Sequence, residues 1–357
     1  MPPDFQHLLN DATRLTRQGK LQAATAAIQS ALQGANSFRP NNAVPEHSQF
    51  RRDQLLKLSA PEPANVAKAA MPGSITERFI SCSHGSAAMN RGDYKLYIPP
   101  GAGARPLPLV LMLHGCTQNP DDFAAGTAMN TLAGEQGFYV LYPAQSAKAN
   151  PQRCWNWFKH NHQSRGHGEP ALLVEITQTV LRQHLIDGDR VYVAGLSAGG
   201  AMAAILGDTY PEIFAAVGVH SGLAAGIAND LSSALSAMKG VAVPAQSQAN
   251  GVPTIVFHGD ADSTVHSSNG ARIIAACVGS VAPAEVKQIS ASGKRTATRS
   301  LYRDANGAVL AEHWLLHGAA HNWSGGSALG TYTDTRGPDA SAEMLRFFLQ
   351  HPRRAAI

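Results

Sequence analysis

No stretch of the chain approaches the roughly eighteen consecutive apolar residues that a bilayer-spanning helix needs, so a membrane span is excluded. Met1 to His7 contain neither a basic segment nor an apolar core. No secretory signal is read there, and the cytoplasm is the default expectation. Cysteine is scarce, with four residues at 82, 116, 154 and 277, none in the paired C-x-x-C spacing of a zinc site and too few for a disulfide scaffold. Charged residues make up only 15%, with a formal net charge of +4. Residues 1–72 hold 8 Lys/Arg against 5 Asp/Glu, leaving 21 against 20 for the remainder. Neither part carries the dense basic face that nucleic acid requires. What is abundant is apolar content, 44% over 357 residues, enough for one large domain with a buried core plus an appendage.

The appendage reads as a helical hairpin over residues 1–33. Leu8, Leu9, Ala12 and Leu15 precede a break near Gly19, and Leu21, Ala24, Ile28 and Leu32 follow at helical spacing. It is similar to a single tetratricopeptide-type unit, and one such unit cannot bury its own apolar face. It is therefore expected to dock on the main domain or to form a homodimer. Residues 34–72, rich in Pro, Ala, Asn and Ser, read as a linker. The remainder, 73–357, opens with an antiparallel edge (Phe79 to Ser83 and Tyr94 to Ile98) and then alternates strand and helix. That is the signature of an α/β fold, a mostly parallel sheet with helices on both faces. Its expected parts include a buried central strand over Leu109–Leu113, a helix from about Asp121 to Glu135, and an Ala/Gly/Ser-rich cap or insertion over about 222–250.

The chemistry centres on Gly195-Leu-Ser-Ala-Gly-Gly200, between the β-branched run Val191-Tyr192-Val193 and the helix-like Ala201–Leu206. Strand, sharp turn and helix with serine at the apex form a nucleophile elbow, which aims Ser197 Oγ outward at the positive end of a helix. Such a serine needs a base, an acid to orient it, and backbone donors for an oxyanion. The loop His258-Gly-Asp-Ala-Asp-Ser-Thr-Val265 leaves a strand end and offers Asp260 and Asp262, between which periodicity does not choose. Among the later histidines, His313 and His317 read as strand residues satisfied by neighbours. His321, in the loop before the last helix, is the candidate base. Cys116, in the loop after the third strand, and Ala198, after the nucleophile, are the candidate oxyanion N–H donors. Trp155, Trp157 and Trp323 are candidate cleft walls, with core packing as the competing reading. His160, His162 and His167 lack the regular spacing of ligands and read as solvated, so no metal and no cofactor is expected.

Leu113-His-Gly-Cys-Thr-Gln118, Arg153-Cys-Trp-Asn-Trp-Phe158, Arg190 to Gly200, Val219-His-Ser-Gly222 and His321-Asn-Trp-Ser-Gly-Gly326 together resemble the polyhydroxybutyrate depolymerase family of esterases, over roughly residues 75–350. The resemblance implies an α/β-hydrolase fold and a serine esterase with Ser197 as nucleophile, Asp262 as acid and His321 as base. It implies a Cys116–Cys154 disulfide, with two free thiols as the alternative in a reducing cytoplasm, and it makes an extracellular location a second possibility. The implied substrate is a 3-hydroxybutyrate polymer or oligomer. Polymer-degrading members carry a separate substrate-binding domain that is not read here, so soluble oligomers are also expected. Acetylxylan, feruloyl or general short-chain esters are the alternative substrates. A granule- or partner-binding protein on an inactive hydrolase fold is the alternative of another class. If the hairpin docks or dimerises, deleting residues 1–72 is expected to change oligomeric state or melting temperature, read by sizing and thermal denaturation; unchanged values would remove that role.

Overall fold

The computed structural model describes residues 77–86, 89–241, 251–290 and 293–353. The hairpin expected over 1–33, the linker over 34–72 and the 242–250 part of the insertion lie outside the described residues.

Strands β1 (Arg78–Ser86) and β2 (Met89–Ile98) pair antiparallel, as the edge pattern predicts. β3 (Leu107–Leu113) is a run of seven buried residues, since helices cover both its faces. Next come β4 (Tyr139–Ala144), β5 (Ile186–Leu196), β6 (Ala216–His220) and β7 (Thr254–Gly259). β8 (Glu285–Ile289), β9 (Ala297–Arg303) and β10 (Val309–Leu316) complete a ten-stranded sheet in the order β1-β2-β4-β3-β5-β6-β7-β10-β9-β8. Its middle, from β4 to β10, is parallel, and both ends are antiparallel. β11 (Trp323–Ser324) and β12 (Thr333–Asp334) form a separate short pair.

Two departures from the sequence reading have identifiable structural causes. The helix expected from Asp121 to Glu135 is two, α1 (Pro120–Thr127) and α2 (Met129–Gln136), parted at Ala128 with φ 53°. The carbonyls that would carry the helix through are diverted outward, Gly126 O to the Ser327 N–H and Thr127 O to the Ser341 hydroxyl. The N-cap of α1 is Asn119, with Oδ1 accepting the Asp122 N–H at 3.0 Å and proline at the first helical position. β8 was not anticipated because four of its five residues are exposed, so it has no buried face to impose alternation. Backbone pairing to β9 alone makes it a strand.

Helices α3 (Gly168–Gln183), α4 (Ala198–Thr209), α5 (Leu231–Met238) and α6 (Ser268–Val278) contribute to one apolar layer, with Leu173, Met202, Ala234 and Ile273 buried against Leu109, Val193 and Val256. On the opposite face α1, α2 and α7 (Ala340–Gln350) bring Phe123, Met129 and Phe348 onto Val110, Tyr192 and Phe257. α5, with a capping box between Asp230 and Ser233, is the described part of the insertion.

A very tight backbone crossing lies where α4 leaves β5. A Cβ at Gly199 would fall 2.1 Å from Leu113 O, and one at Gly195 would fall 2.4 Å from the Gly199 carbonyl carbon. Three backbones therefore touch with no side chain between them. Gly199→Ala is expected to destabilise by about 3 kcal/mol, seen as a lowered urea midpoint, because no flexible group can move aside.

Candidate active site

Ser197 sits at the end of β5 with φ 58° and ψ −119°, a backbone that L residues rarely adopt. The turn is held by its own N–H, which donates to His220 O at 2.9 Å. Although Ser197 occupies the N-cap of α4, its side chain makes no capping bond, so Oγ remains available at the positive end of the helix. Among the described residues, the N–H groups of Ala198 and Cys116 donate to no acceptor.

Asp262 and His321 are brought together. His321 Nδ1–H donates to Asp262 Oδ2 at 2.6 Å, and Asp262 Oδ1 accepts the N–H groups of Thr264 at 2.9 Å and Val265 at 2.8 Å. Burial pushes the Asp262 pKa up, but His321 and the Val265 N–H pull it down further, so it lies below the ordinary carboxylate value. His258 packs behind it, with Nε2–H donating to Val265 O at 2.9 Å and 3.6 Å from Asp262 Oδ2. Asp260 is committed elsewhere: it accepts His317 Nδ1–H at 2.9 Å and the Gly318 N–H at 2.7 Å, while His317 Nε2 accepts the Thr298 hydroxyl. His313 lies in β10 as its pattern suggests, but its buried Nε2 has no partner, so it is not the satisfied strand histidine expected. The loops bearing Asp262 and His321 meet where a Cβ on Gly259 would be 2.1 Å from Ala319 O.

The loop carrying Cys116 is tied down on several sides. A disulfide joins Cys116 to Cys154, with Cα atoms 4.2 Å apart. Gln118 Oε1 accepts the Gly115 N–H at 2.9 Å. His114, whose pKa burial lowers to about 4, is neutral: Nδ1–H donates to Gly115 O and Nε2 accepts the Gln145 N–H. The segment beyond the disulfide is organised by buried Glu169, which accepts Gln145 Nε2–H at 2.6 Å and both Asn156 N–H at 2.7 Å and Asn156 Nδ2–H at 2.6 Å. His162, read from sequence as solvated, is buried, with Nδ1 3.4 Å from Glu169. Burial raises the Glu169 pKa, yet His162 and these donors outweigh it and leave a net lowering. Among the described residues no group of three or more ligating side chains converges as a metal site, and no helix is long and apolar enough to cross a membrane.

The three tryptophans are not cleft walls. Trp155 and Trp157 are 2% and 5% exposed and belong to the core, with Trp155 Nε1–H donating to His114 O at 3.0 Å. Trp323 is fully buried, donates Nε1–H to Ser341 Oγ at 3.1 Å and packs edge-on to Phe123. Indoles supply large apolar area and one N–H, and here all three spend them beneath the site. His220, within the Val219–Gly222 motif, carries no catalytic signature in the sequence, yet it is central to the site. It stacks between Trp323 and Phe257, and its Nε2 accepts the Ser324 N–H at 2.9 Å. Burial lowers its pKa to about 3, which keeps that nitrogen an acceptor. Through Ser197 N–H on its carbonyl and Ser324 N–H on its ring, His220 links the serine turn to the loop bearing His321. A cavity lined by Gly207, Val217, Thr254, Ile273 and Cys277 opens near the amino ends of β6 and β7, away from this cluster.

A parallel-centred sheet with a serine turn and an Asp–His pair at its carboxyl edge defines an α/β-hydrolase. The chain belongs to the esterase PHB depolymerase family, whose model matches residues 92–300. It is 29% identical over 283 residues to poly(3-hydroxyalkanoate) depolymerase C of Paucimonas lemoignei, covering 76% of this chain and 67% of that protein. Over 140 residues it is 33% identical to feruloyl esterase B of Thermothelomyces thermophilus, covering 39% of this chain and 47% of the relative. Poly(3-hydroxybutyrate) depolymerase of Ralstonia pickettii is 31% identical over 240 residues, 61% of this chain and 48% of that one. The chain thus spans about two thirds of the first relative and about half of the other two. Among solved structures, acetyl xylan esterase from Aspergillus awamori superposes with a TM-score of 0.59 at 17% identity, covering 76% of this chain and 99% of that one, a likeness of fold.

Glu169 supplies a test of the loop architecture. In Glu169→Gln, whichever oxygen becomes NH2 faces a donor, at a cost of about 1–3 kcal/mol at neutral pH. Because the folded pKa is depressed, the stabilisation exists above the unfolded value of about 4.3 and is lost as pH falls through the folded value. Wild type and variant should therefore differ in thermal midpoint at pH 7 and converge only as pH falls through the depressed folded-state value.

Proposed function

We propose that the protein hydrolyses carboxylic esters through an acyl-serine intermediate, with Ser197 as nucleophile, His321 as base, Asp262 as its orienting acid, and the Cys116 and Ala198 amides as oxyanion donors. The supporting observation is the Asp262–His321 hydrogen bond of 2.6 Å at the sheet edge that also carries Ser197 and the two undonated N–H groups. His321 Nε2 removes the Ser197 proton as Oγ attacks the ester carbonyl carbon. Negative charge then gathers on the former carbonyl oxygen, where fixed amides need no reorganisation to receive it. Asp262 holds the ring with Nδ1 protonated and stabilises the imidazolium. Collapse of the intermediate expels the alcohol, protonated by His321. Water, deprotonated by the same ring, releases the acid and restores the serine.

The two depolymerase relatives support a 3-hydroxybutyrate polymer or oligomer as substrate. Feruloyl or acetyl esters are the second reading, on the feruloyl esterase and acetylxylan esterase relatives. The Cys116–Cys154 disulfide supports an oxidising compartment as the place of action, against the cytoplasmic default.

Emulsified polyhydroxybutyrate, its soluble trimer and a feruloyl ester, assayed in parallel, separate these substrates. Release of 3-hydroxybutyrate is expected, and feruloyl turnover without it would move the assignment to the second reading. Ser197→Ala should lower kcat by about four orders of magnitude or more and abolish fluorophosphonate labelling, with Asp262→Asn losing about 10⁴-fold. Persistent labelling or turnover in Ser197→Ala would remove Ser197 as the nucleophile.

A further inference from the structure

We propose that Tyr332, with Leu329 beside it, is the specificity-determining wall of the substrate cleft, contacting the chain of an ester substrate beyond the unit being cleaved. The proposal rests on the esterase reading above. Tyr332 bridges the two loops that reading makes catalytic. Its carbonyl accepts the Trp323 N–H at 2.7 Å, two residues past His321. Its phenol oxygen lies 3.3 Å from Thr117 Oγ1, next to Cys116. Thr117 gives its own hydroxyl proton to Cys116 O at 2.5 Å, so Tyr332 is the donor in the longer contact. That bond is weak enough to be exchanged for a carbonyl acceptor on a substrate.

Three further observations set this pair apart from scattered surface apolar residues. Tyr332 is held at φ 52°, costly for an aromatic residue and sustained only where the surroundings impose it. Those surroundings are built: Asp122 accepts the Thr331 N–H at 2.8 Å, Gln118 Nε2–H donates to Thr331 O at 3.1 Å, and Gly126 O accepts the Ser327 N–H at 2.8 Å. The loop so fixed nonetheless presents Leu329 at 87% and Tyr332 at 45% exposure. A rigid loop displaying a leucine, and a phenol against the Cys116 loop, suits a chain that alternates apolar carbons with ester carbonyls, as an oligomeric hydroxyacid ester does. A single acetyl ester offers no such chain.

The test compares the soluble 3-hydroxybutyrate trimer with p-nitrophenyl acetate. Tyr332→Gly deletes the ring and relieves the positive φ, so a loss cannot come from added strain. It is expected to raise KM for the trimer about tenfold while kcat/KM for p-nitrophenyl acetate stays within about twofold. Tyr332→Phe should keep most of the trimer affinity, and Leu329→Ser, at a fully solvated position, should raise the trimer KM about threefold. Equal losses on both esters, or none on either, would overturn the proposal. A wild type that fails on p-nitrophenyl acetate would instead overturn the esterase reading.

Discussion

The close contact of three backbones at Leu113, Gly195 and Gly199 is the constraint on which the site depends. With hydrogen atoms in place of side chains, the end of β3, the end of β5 and the first turn of α4 occupy one small volume. The chain between β5 and α4 then has only one residue in which to reverse, and Ser197 absorbs the reversal at φ 58°. The same contact brings the loop after β3 beside the serine, because Leu113 is both the atom donor to the clash and the start of that loop. The geometry of the Ser197 turn and the position of the loop after β3 are therefore one packing event, and a larger residue at 199 would disturb both together.

A second backbone contact, Gly259 against Ala319, does for Asp262 and His321 what the first does for Ser197. It brings the loop after β7 and the loop after β10 together by main chain, leaving Asp262 and His321 free to choose each other rather than to hold the loops in place. His220 then joins the two halves, its carbonyl on the Ser197 turn and its neutral ring on Ser324. The strain is local to this assembly. Of six non-glycine residues with positive φ among those described, Thr117, Arg153, Ser197, Ser221 and Tyr332 lie in its loops, and Ala128 alone serves a helix break. The hydrogen bonds of Glu169, His114, Gln118 and Asp122 hold the loops in which those torsions occur.

The order of strands and helices was legible because a buried parallel sheet writes itself as continuous apolar runs such as Leu109–Leu113, and because Gly195, Gly199 and Gly200 mark a turn whose geometry admits little else. What was not legible depended on groups distant in sequence. Nothing near Ala128 says that Ser327 and Ser341, some two hundred residues on, will take the carbonyls of α1. Spacing alone left Asp260 and Asp262 open and only the family resemblance favoured Asp262, because the choice lies with two histidines four residues apart, His317 and His321, each of which takes one of them. For tryptophan, cleft wall and core packing stay open in the sequence for a related reason, and the structure takes the second. Composition and position near a motif do not distinguish an indole that lines a cleft from one that supports its floor, and only the partners of Trp155 and Trp323, His114 O and Ser341, settle that they are supports.

Burying the indoles beneath the site has a consequence for how the site meets its ligand. With Trp155, Trp157 and Trp323 committed to the core, the apolar surface next to the serine must come from elsewhere, and the exposed large apolar side chains nearest in the chain to His321 are Leu329 and Tyr332. The division is physically sensible. A catalytic loop needs a support that does not move, which a fully buried indole provides, whereas a substrate contact must be solvated before binding and desolvated by it. Residues displayed on a loop pinned by Asp122 and Gln118 satisfy that second requirement at little cost in ordering. Rigid display of apolar surface is unfavourable in the free protein, and binding that covers it recovers this cost. The fold thus separates the groups that fix the reaction geometry, which are buried, from those placed to read the rest of the chain, which are not.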